Sequence, residues 1–205
     1  MEKVCADWPA QAFDEQLVNG KYWEEFAANA KAAATEILHA GTWQEAEQLL
    51  QELVQNMEAK EILAVGGDEN PHIGMMYRHM QSDGRVVYTD KFAIAEHAPQ
   101  ADLGISTAEF GVGESGSVCV DTASYEARVT GMLPPVHIVF MQSDHMVKNI
   151  DMAFRVIAKV YKKGYMGFIT GPSRTADIER VLSLGVHGPG RFIVIAVDEP
   201  AEGRA

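Results

Sequence analysis

Residues 169–178, Ile-Thr-Gly-Pro-Ser-Arg-Thr-Ala-Asp-Ile, combine the residue types that bind an anion at the start of a helix. Glycine lets a backbone approach a ligand, hydroxyls lie beside the N–H groups that a helix start leaves unpaired, and an arginine supplies a forked cation. The acidic residue argues partly against this, because a carboxylate in the first turn already complements the helix dipole. A simple turn with an N-cap would use the same residues. The candidates for ligand binding are Gly171, Ser173, Arg174, Thr175 and Asp177.

A second loop places one glutamate among glycines, in the run Gly-Val-Gly-Glu-Ser-Gly-Ser at residues 111–117. Glu114 is a candidate general base or nucleophile if burial or neighbouring groups shift the pKa of its carboxyl. Gly116 and Ser117 are candidates for ligand contacts in the same loop. The alternative is a glycine-rich bend with a solvated glutamate.

Two further loops carry weaker signals. His187 and Gly188 lie in the run Gly-Val-His-Gly-Pro-Gly at residues 185–190, where the imidazole could move a proton or simply be exposed in a turn. Gly66 and Gly67 follow an apolar run and could admit a phosphate or a carboxylate. That loop has neither the G-x-G-x-x-G pattern nor the P-loop lysine, so no nucleotide fingerprint is present.

The spacing of histidines and cysteines gives little support for a metal site or an iron–sulfur cluster. The histidines show no metal-ligand spacing, and His137 lies in an apolar run that is typical of a hydrogen-bonded core histidine. The two cysteines, Cys5 and Cys119, are too few for an iron–sulfur cluster, which takes four ligands. We therefore expect no metal site and no cofactor in this chain.

Composition narrows the possible partners and compartment. The 205 residues carry a net charge of −12, which disfavours binding to nucleic acid and to anionic membrane surfaces. No apolar run approaches the roughly 18 residues of a membrane helix, and the first residues lack the pattern of a signal peptide. We expect a cytoplasmic protein with reduced thiols and no membrane insertion.

The candidate loops are positioned by helices and strands, whose sequence patterns alternate along most of the chain. Helical patterns cover residues 7–18, 22–39 and 43–57, the last opened by a capping box at Thr42 and Glu45. Apolar runs then alternate with helical patterns, which predicts an α/β fold with a mostly parallel sheet covered by helices. The predicted strands are 61–66, 85–88, 101–105, 117–121, 136–140, 165–170 and 191–197, and the later helices are 149–161 and 176–184.

This alternation also predicts the organisation of the chain and of the site. Residues 1–58 are predicted to form an N-terminal helical extension packed on an α/β domain of residues 59–205. We expect the longer strands to share one sheet. Loops at one end of a parallel sheet converge, so Glu114, Arg174 and His187 are predicted to meet in one pocket.

Several of these motifs together resemble the LUD-domain family. The resemblance rests on residues 170–179 and 185–189, and on Ala-Asp-Leu-Gly-Ile-Ser-Thr-Ala-Glu at 101–109, Gly-Glu-Ser-Gly-Ser at 113–117 and Leu-Pro-Pro-Val-His at 133–137. It covers about residues 60–197. The family's usual Thr-Gly-Thr after the glutamate is Ser115-Gly116-Ser117 here, which keeps the hydroxyls and loses the methyls.

The resemblance implies a fold similar to the sugar-phosphate isomerase and CoA-transferase group, and a place in bacterial oxidation of L-lactate to pyruvate. It implies iron–sulfur and cysteine-rich partner subunits, so this chain would be a non-redox component that binds a small anionic ligand. The alternative is a stand-alone enzyme on a small organic acid, sugar phosphate or CoA ester, with Glu114 as the reacting carboxylate. Whether the chain is catalytic by itself stays open at this point.

Overall fold

The computed structural model describes residues 2–3, 20–163, 165–172, 174–175, 183–184 and 188–201. Six α-helices lie in these segments: α1 (Trp23–Ala32), α2 (Trp43–Asn56), α3 (Pro71–Ser82), α4 (Lys91–His97), α5 (Tyr125–Met132) and α6 (Ile150–Val160). The strands are β1 (Glu2–Lys3), β2 (Glu36–Ala40), β3 (Glu61–Ala64), β4 (Val86–Tyr88), β5 (Leu103–Thr107), β6 (Phe110–Val112), β7 (Ser117–Asp121), β8 (Val136–Gln142), β9 (Met146–Val147), β10 (Tyr161–Lys163), β11 (Met166–Ile169), β12 (Arg174–Thr175), β13 (Ser183–Leu184) and β14 (Arg191–Val197).

The main sheet has six strands in the order β2-β14-β8-β5-β3-β4, and every pairing in it is parallel. One face packs on α2 and α3 through a core that includes Ile62, Ile105 and Ile193. The other face, with Val139 and Val194, packs on α1 and on β7. The predicted α/β fold with a mostly parallel sheet covered by helices is therefore confirmed.

The start of α2 shows the predicted capping box. The hydroxyl of Thr42 accepts a hydrogen bond from the backbone N–H of Glu45 at 3.1 Å. The carboxylate of Glu45 in turn accepts from the backbone N–H of Gly41 at 2.7 Å. The first bond satisfies a donor that the helix start would otherwise leave unpaired, and the second reaches back to the residue before the N-cap. No helix in the described part of the chain is long and apolar enough to cross a membrane.

The prediction that all the longer strands share one sheet is wrong. β7 and β11 belong to a second sheet of four strands, in the order β11-β7-β6-β9, which is mostly antiparallel. Only residues 113–116 join β6 to β7, and so short a turn allows only antiparallel pairing of these two strands, whereas every pairing in the main sheet is parallel. A parallel pairing would need a crossover of a dozen or more residues.

The predicted helix over residues 22–39 ends early. α1 stops at Ala32, Ala34 adopts a φ of +65°, and residues 36–40 form β2 against β14. Residues before position 58 therefore supply an edge strand of the main sheet. An alanine-rich run hides this break, because the left-handed residue that ends a helix is usually glycine.

The predicted helix over residues 176–184 also needs correction at its end. Ser183–Leu184 pair with Arg174–Thr175 as a short antiparallel ladder, so residues 183–184 are extended. Residues 176–182 lie outside the described residues.

Candidate functional site

The loop after β3 is fixed by close packing of its two glycines. A Cβ on Gly66 would lie 2.8 Å from Cγ2 of Thr107, and Gly66 has a φ of +85°. A Cβ on Gly67 would lie 2.9 Å from the ring of Tyr77, whose hydroxyl donates to the carbonyl of Val65 at 2.8 Å. Burial raises the pKa of Tyr77, which keeps this donor protonated. The turn is thus held in one shape at the carboxyl edge of the sheet.

This turn borders a cavity of about 180 Å³, which we call the Arg78 cavity. Its lining residues are Ala64, Val65, Gly66, Gly67, Asp68, Gly74, Tyr77, Arg78, Gln81 and Thr89. Arg78 is exposed and forms no ion pair with another described side chain. The start of α3 offers less to an anion, because Asn70 caps the N–H groups of His72 and Ile73 and Pro71 has none. Any anion in this cavity would depend on the guanidinium.

A neighbouring cavity of about 270 Å³ has the opposite character. Five carboxylates line it, from Asp68, Glu69, Glu109, Asp121 and Glu126. Within the described segments no three histidine, cysteine or acidic residues are placed to hold a metal ion. Like charges at this spacing repel an anion, so a carboxylate or phosphate ligand is disfavoured here relative to the Arg78 cavity.

A third cavity, of about 410 Å³, lies between the two sheets, and we call it the inter-sheet cavity. Ser106 on β5 and His137 on β8 both line it, and Oγ of Ser106 is 2.8 Å from Nε2 of His137. His137 is 1% exposed, and burial lowers the pKa of its imidazole to about 3, so the ring is neutral at neutral pH. Its Nδ1 has no hydrogen-bond partner among the described residues.

Glu114 lies in the turn between β6 and β7, and its side chain is exposed. The backbone N–H of Glu114 donates to the carbonyl of Lys148 at 2.9 Å, and its carbonyl accepts from Nδ2 of Asn29 at 3.0 Å. These bonds fix the turn, but Glu114 lines none of the cavities described above or a smaller one of about 60 Å³ beside Trp43. Its proposed catalytic role stays a prediction.

Gly116 and Ser117 have well-defined structural partners. A Cβ on Gly116 would lie 2.1 Å from the backbone N of Ala30, so this glycine allows α1 to pack on the turn. The hydroxyl of Ser117 lies 2.8 Å from that of Thr170, at the end of β11, and donates to Ser115 at 2.8 Å. The second loop and the start of the 170–178 loop therefore do meet.

The 170–178 loop also packs on the end of α1. A Cβ on Gly171 would lie 2.4 Å from the carbonyl oxygen of Ala33, and Gly171 lines the inter-sheet cavity together with Pro189. Gly188, next to Pro189, has a φ of +103°. Ser173, Asp177 and His187 lie outside the described residues, as do the side chains of Arg174 and Thr175.

The predicted meeting of Glu114, Arg174 and His187 in one pocket stays a prediction, because His187 and the side chain of Arg174 lie outside the described residues. Gly171 and Pro189 line the inter-sheet cavity, Ser117 contacts Thr170, and Glu114 does not line that cavity. Three side chains near the cavities were missed by the motif search: Arg78, Ser106 and Arg128. Two of them are isolated arginines on helices, and only Ser106, at the carboxyl end of a predicted strand, had a positional signal.

Comparison with known proteins matches the motifs to a family. The family model described as the LUD domain matches residues 23–197. Lactate utilization protein C of Oceanobacillus iheyensis is 29% identical over 165 residues, which cover 76% of this chain and 71% of that protein. Lactate utilization protein C of Halalkalibacterium halodurans is 32% identical over 117 residues, covering 55% of this chain and 51% of that protein. The alignments thus span between half and about seven-tenths of these relatives.

A solved structure supports the fold. The crystal structure of a DUF162 family protein from Deinococcus radiodurans superposes with a TM-score of 0.62 and 18% sequence identity. The superposition covers 90% of this chain and 99% of that chain. The family match includes α1, β2 and α2, which the motif resemblance alone did not reach. With the motifs in their expected order and the family model matching most of its length, the chain belongs to the LUD domain family.

Proposed function

We propose that this chain is a non-redox component of an L-lactate oxidation system. In this proposal it binds a small organic anion in the Arg78 cavity. It acts together with iron–sulfur and cysteine-rich partner proteins. The relatives named lactate utilization protein C support a role in lactate utilization. The anion-binding role depends on one observation: a guanidinium without an ion-pair partner in the described residues lines a cavity beside the Gly66–Gly67 turn.

The cysteines of this chain support the proposed division of labour with its partners. The sequence has two, and Cys119 lies in the core of the second sheet, fully buried. Burial raises the pKa of the Cys119 thiol, which opposes the thiolate that a cluster ligand must be. A four-cysteine cluster therefore cannot be built within one copy of this chain, and the electrons of lactate oxidation would pass through partners.

Size and charge both favour a small acid in the Arg78 cavity. Its volume of about 180 Å³ is well above what one water needs, so the cavity has room for a small organic molecule. L-Lactate and pyruvate each have six non-hydrogen atoms and one carboxylate, which matches a single forked cation. Asp68 also lines the cavity, and its carboxylate can accept from a ligand hydroxyl, whereas it would repel the anionic end.

Calorimetric titration with L-lactate, pyruvate and inorganic phosphate tests the anion site. We expect wild type to bind at least one of the two organic acids, and Arg78→Gln to weaken that binding by tenfold or more. Arg155→Gln is the matched control, because Arg155 is an exposed arginine paired with Asp151 on α6, away from the cavity. Wild-type affinity in Arg78→Gln, or no binding of either acid by wild type, would contradict the proposal.

Dye reduction and co-purification test the role of the partners. The purified chain with L-lactate should not reduce a dye acceptor, whereas a mixture that also contains the proposed iron–sulfur and cysteine-rich partner proteins should do so. Tagged chain should retain at least one of these proteins. Lactate-dependent dye reduction by the isolated chain would overturn the non-redox assignment.

The alternative of a stand-alone enzyme using Glu114 is not proposed, because no described cavity is lined by that residue.

A further inference from the structure

The inter-sheet cavity is large and mostly apolar, unlike the Arg78 cavity. Its walls come from both sheets and from α5, and include the apolar side chains of Val120, Met132, Phe168, Ile169, Pro189 and Phe192. Its volume of about 410 Å³ is more than twice the 180 Å³ of the Arg78 cavity. By the share of liquid volume that one water occupies, it has room for roughly 14 waters, which exceeds the size of a three-carbon acid. Cavities of this size and character typically hold an organic ligand.

Among the described residues, one cationic side chain lines the inter-sheet cavity. Arg128 on α5 is half-buried, and its Nη1 donates to the carbonyls of Thr122 at 2.7 Å and Ala123 at 3.0 Å. These two bonds fix the direction of the guanidinium. Its Nε and Nη2 groups have no hydrogen-bond partner among the residues that the structure describes. A carboxylate can bind two such donors side by side, which gives a guanidinium its strongest and most specific pairing.

Further polar side chains among the described residues of the lining form hydrogen bonds. Ser106 and His137 lie on the face of the main sheet that meets the second sheet, joined by their 2.8 Å hydrogen bond. His137 stacks obliquely on Phe192, with ring centroids 5.4 Å apart. Asp121 also lines the cavity, and its Oδ1 accepts from the backbone N–H of Ala123 at 2.8 Å. Thr122 and Tyr165 are the other polar residues of the described lining, and the rest of that lining is apolar apart from Arg128.

We propose that the inter-sheet cavity binds a monocarboxylate with an apolar chain or ring of about eight carbons, its carboxylate paired with Nε and Nη2 of Arg128. The apolar body lies against Phe168, Ile169 and Phe192. The Ser106–His137 pair offers hydrogen bonds to a further oxygen of such a ligand. This second site is independent of the small-anion site at Arg78, because the two cavities share no lining residue.

Calorimetric titration with straight-chain carboxylates tests this proposal. Octanoate should bind, and affinity should rise from butanoate to octanoate by up to about fourfold for each methylene that becomes fully buried. Octanamide, which has the same chain without the charge, should bind at least tenfold more weakly. Failure of octanoate to bind at any concentration up to its solubility, or equal binding of octanamide, would overturn the proposal.

Variants test whether octanoate binds in the inter-sheet cavity and not elsewhere in the protein. Arg128→Gln should weaken octanoate binding tenfold or more, Arg128→Lys should retain part of it, and Arg78→Gln should leave it unchanged. Because Arg128→Gln also loses the bonds to two carbonyls, Ile169→Trp provides a second test by filling the cavity without touching the cation. Folding of each variant is checked by its circular dichroism and thermal unfolding. Unchanged octanoate binding in a folded Arg128→Gln or a folded Ile169→Trp would overturn the assignment, and so would loss of octanoate binding in a folded Arg78→Gln.

Discussion

Ser106 Oγ and His137 Nε2 form a hydrogen bond of 2.8 Å between β5 and β8, two neighbouring strands of the main sheet. Both side chains are more than 90% buried, on the face that meets the second sheet. Because this environment opposes the charged imidazolium, the pair is a neutral hydrogen bond in a mostly apolar wall. The sequence indicated only that His137 is a hydrogen-bonded core histidine.

The low pKa of His137 predicts a pH-dependent stability. The unfolded chain takes up a proton on this residue below about pH 6.5, whereas the folded protein does so only near pH 3. The free energy of unfolding should therefore fall as pH decreases from 6.5 towards 3, by at most about 1.4 kcal/mol per pH unit from this residue. Urea unfolding at several pH values measures this dependence of the free energy of unfolding on pH. In His137→Gln, which cannot titrate, the slope should be smaller, and an unchanged slope would contradict a buried neutral imidazole.

Gly116 is expected to tolerate no side chain. A Cβ there would lie 2.1 Å from the backbone of Ala30, and its φ is +65°. Gly116→Ala should lower the free energy of unfolding by about 2–4 kcal/mol, through both backbone strain and the displacement of α1. Gly84→Ala is the matched control, because Gly84 has a φ of +85° and nothing within 4 Å of an added Cβ. That control should cost only about 1–2 kcal/mol. Equal losses in denaturant unfolding would show that the contact with α1 is unimportant.

The ion pair of Glu36 and Arg191 joins the edge strand β2 to β14. Nε and Nη2 of Arg191 donate to the two carboxylate oxygens of Glu36 at 2.5 and 2.7 Å. The hydrogen bond to Arg191 lowers the pKa of Glu36, so its contribution is present above the unfolded pKa and is lost as pH falls through the folded value. Both side chains are partly exposed, so Glu36→Gln should lower the free energy of unfolding by less than about 1 kcal/mol at neutral pH. Arg191→Lys should cost a similar amount, measured by thermal unfolding, because a lysine cannot form the bidentate pair. A loss that stays the same at low pH would contradict the pairing.

Cys119 is expected to be unreactive in the folded protein. It is fully buried on β7, and burial raises the pKa of its thiol, so little thiolate is present at neutral pH. In a Cys5→Ser variant, which leaves one thiol, a disulfide reagent should react at least tenfold more slowly in buffer than in denaturant. Equal rates in the two conditions would place this thiol at the surface.

Local sequence patterns predicted some elements closely and others poorly. The run at 191–197 forms β14 at the predicted bounds, and the Thr42–Glu45 capping box is present, because both depend on residues near in sequence. β2 was missed because the helix before it is followed by Ala34, an alanine in the left-handed conformation, where the usual sequence signal is a glycine. β7 was assigned to the wrong sheet because strand composition does not reveal the partner strand.

The candidate site was less predictable than the fold. Glycines at positions 67, 116 and 171 were chosen because they leave room for a ligand, yet each has a helix or an aromatic ring where its Cβ would lie. Arg78 and Arg128 carry no motif of their own. Their importance comes from the cavities that tertiary packing forms around them, which no spacing along the chain encodes.

The growth rate on L-lactate as sole carbon source tests the central claim most directly. A strain of the source organism that lacks the gene should fail to grow on L-lactate and should grow normally on glucose. Wild type and Arg155→Gln should restore growth on L-lactate, whereas Arg78→Gln, expressed at the same level, should not. Growth of the deletion strain on L-lactate at the parental rate, or full restoration by Arg78→Gln, would contradict the account.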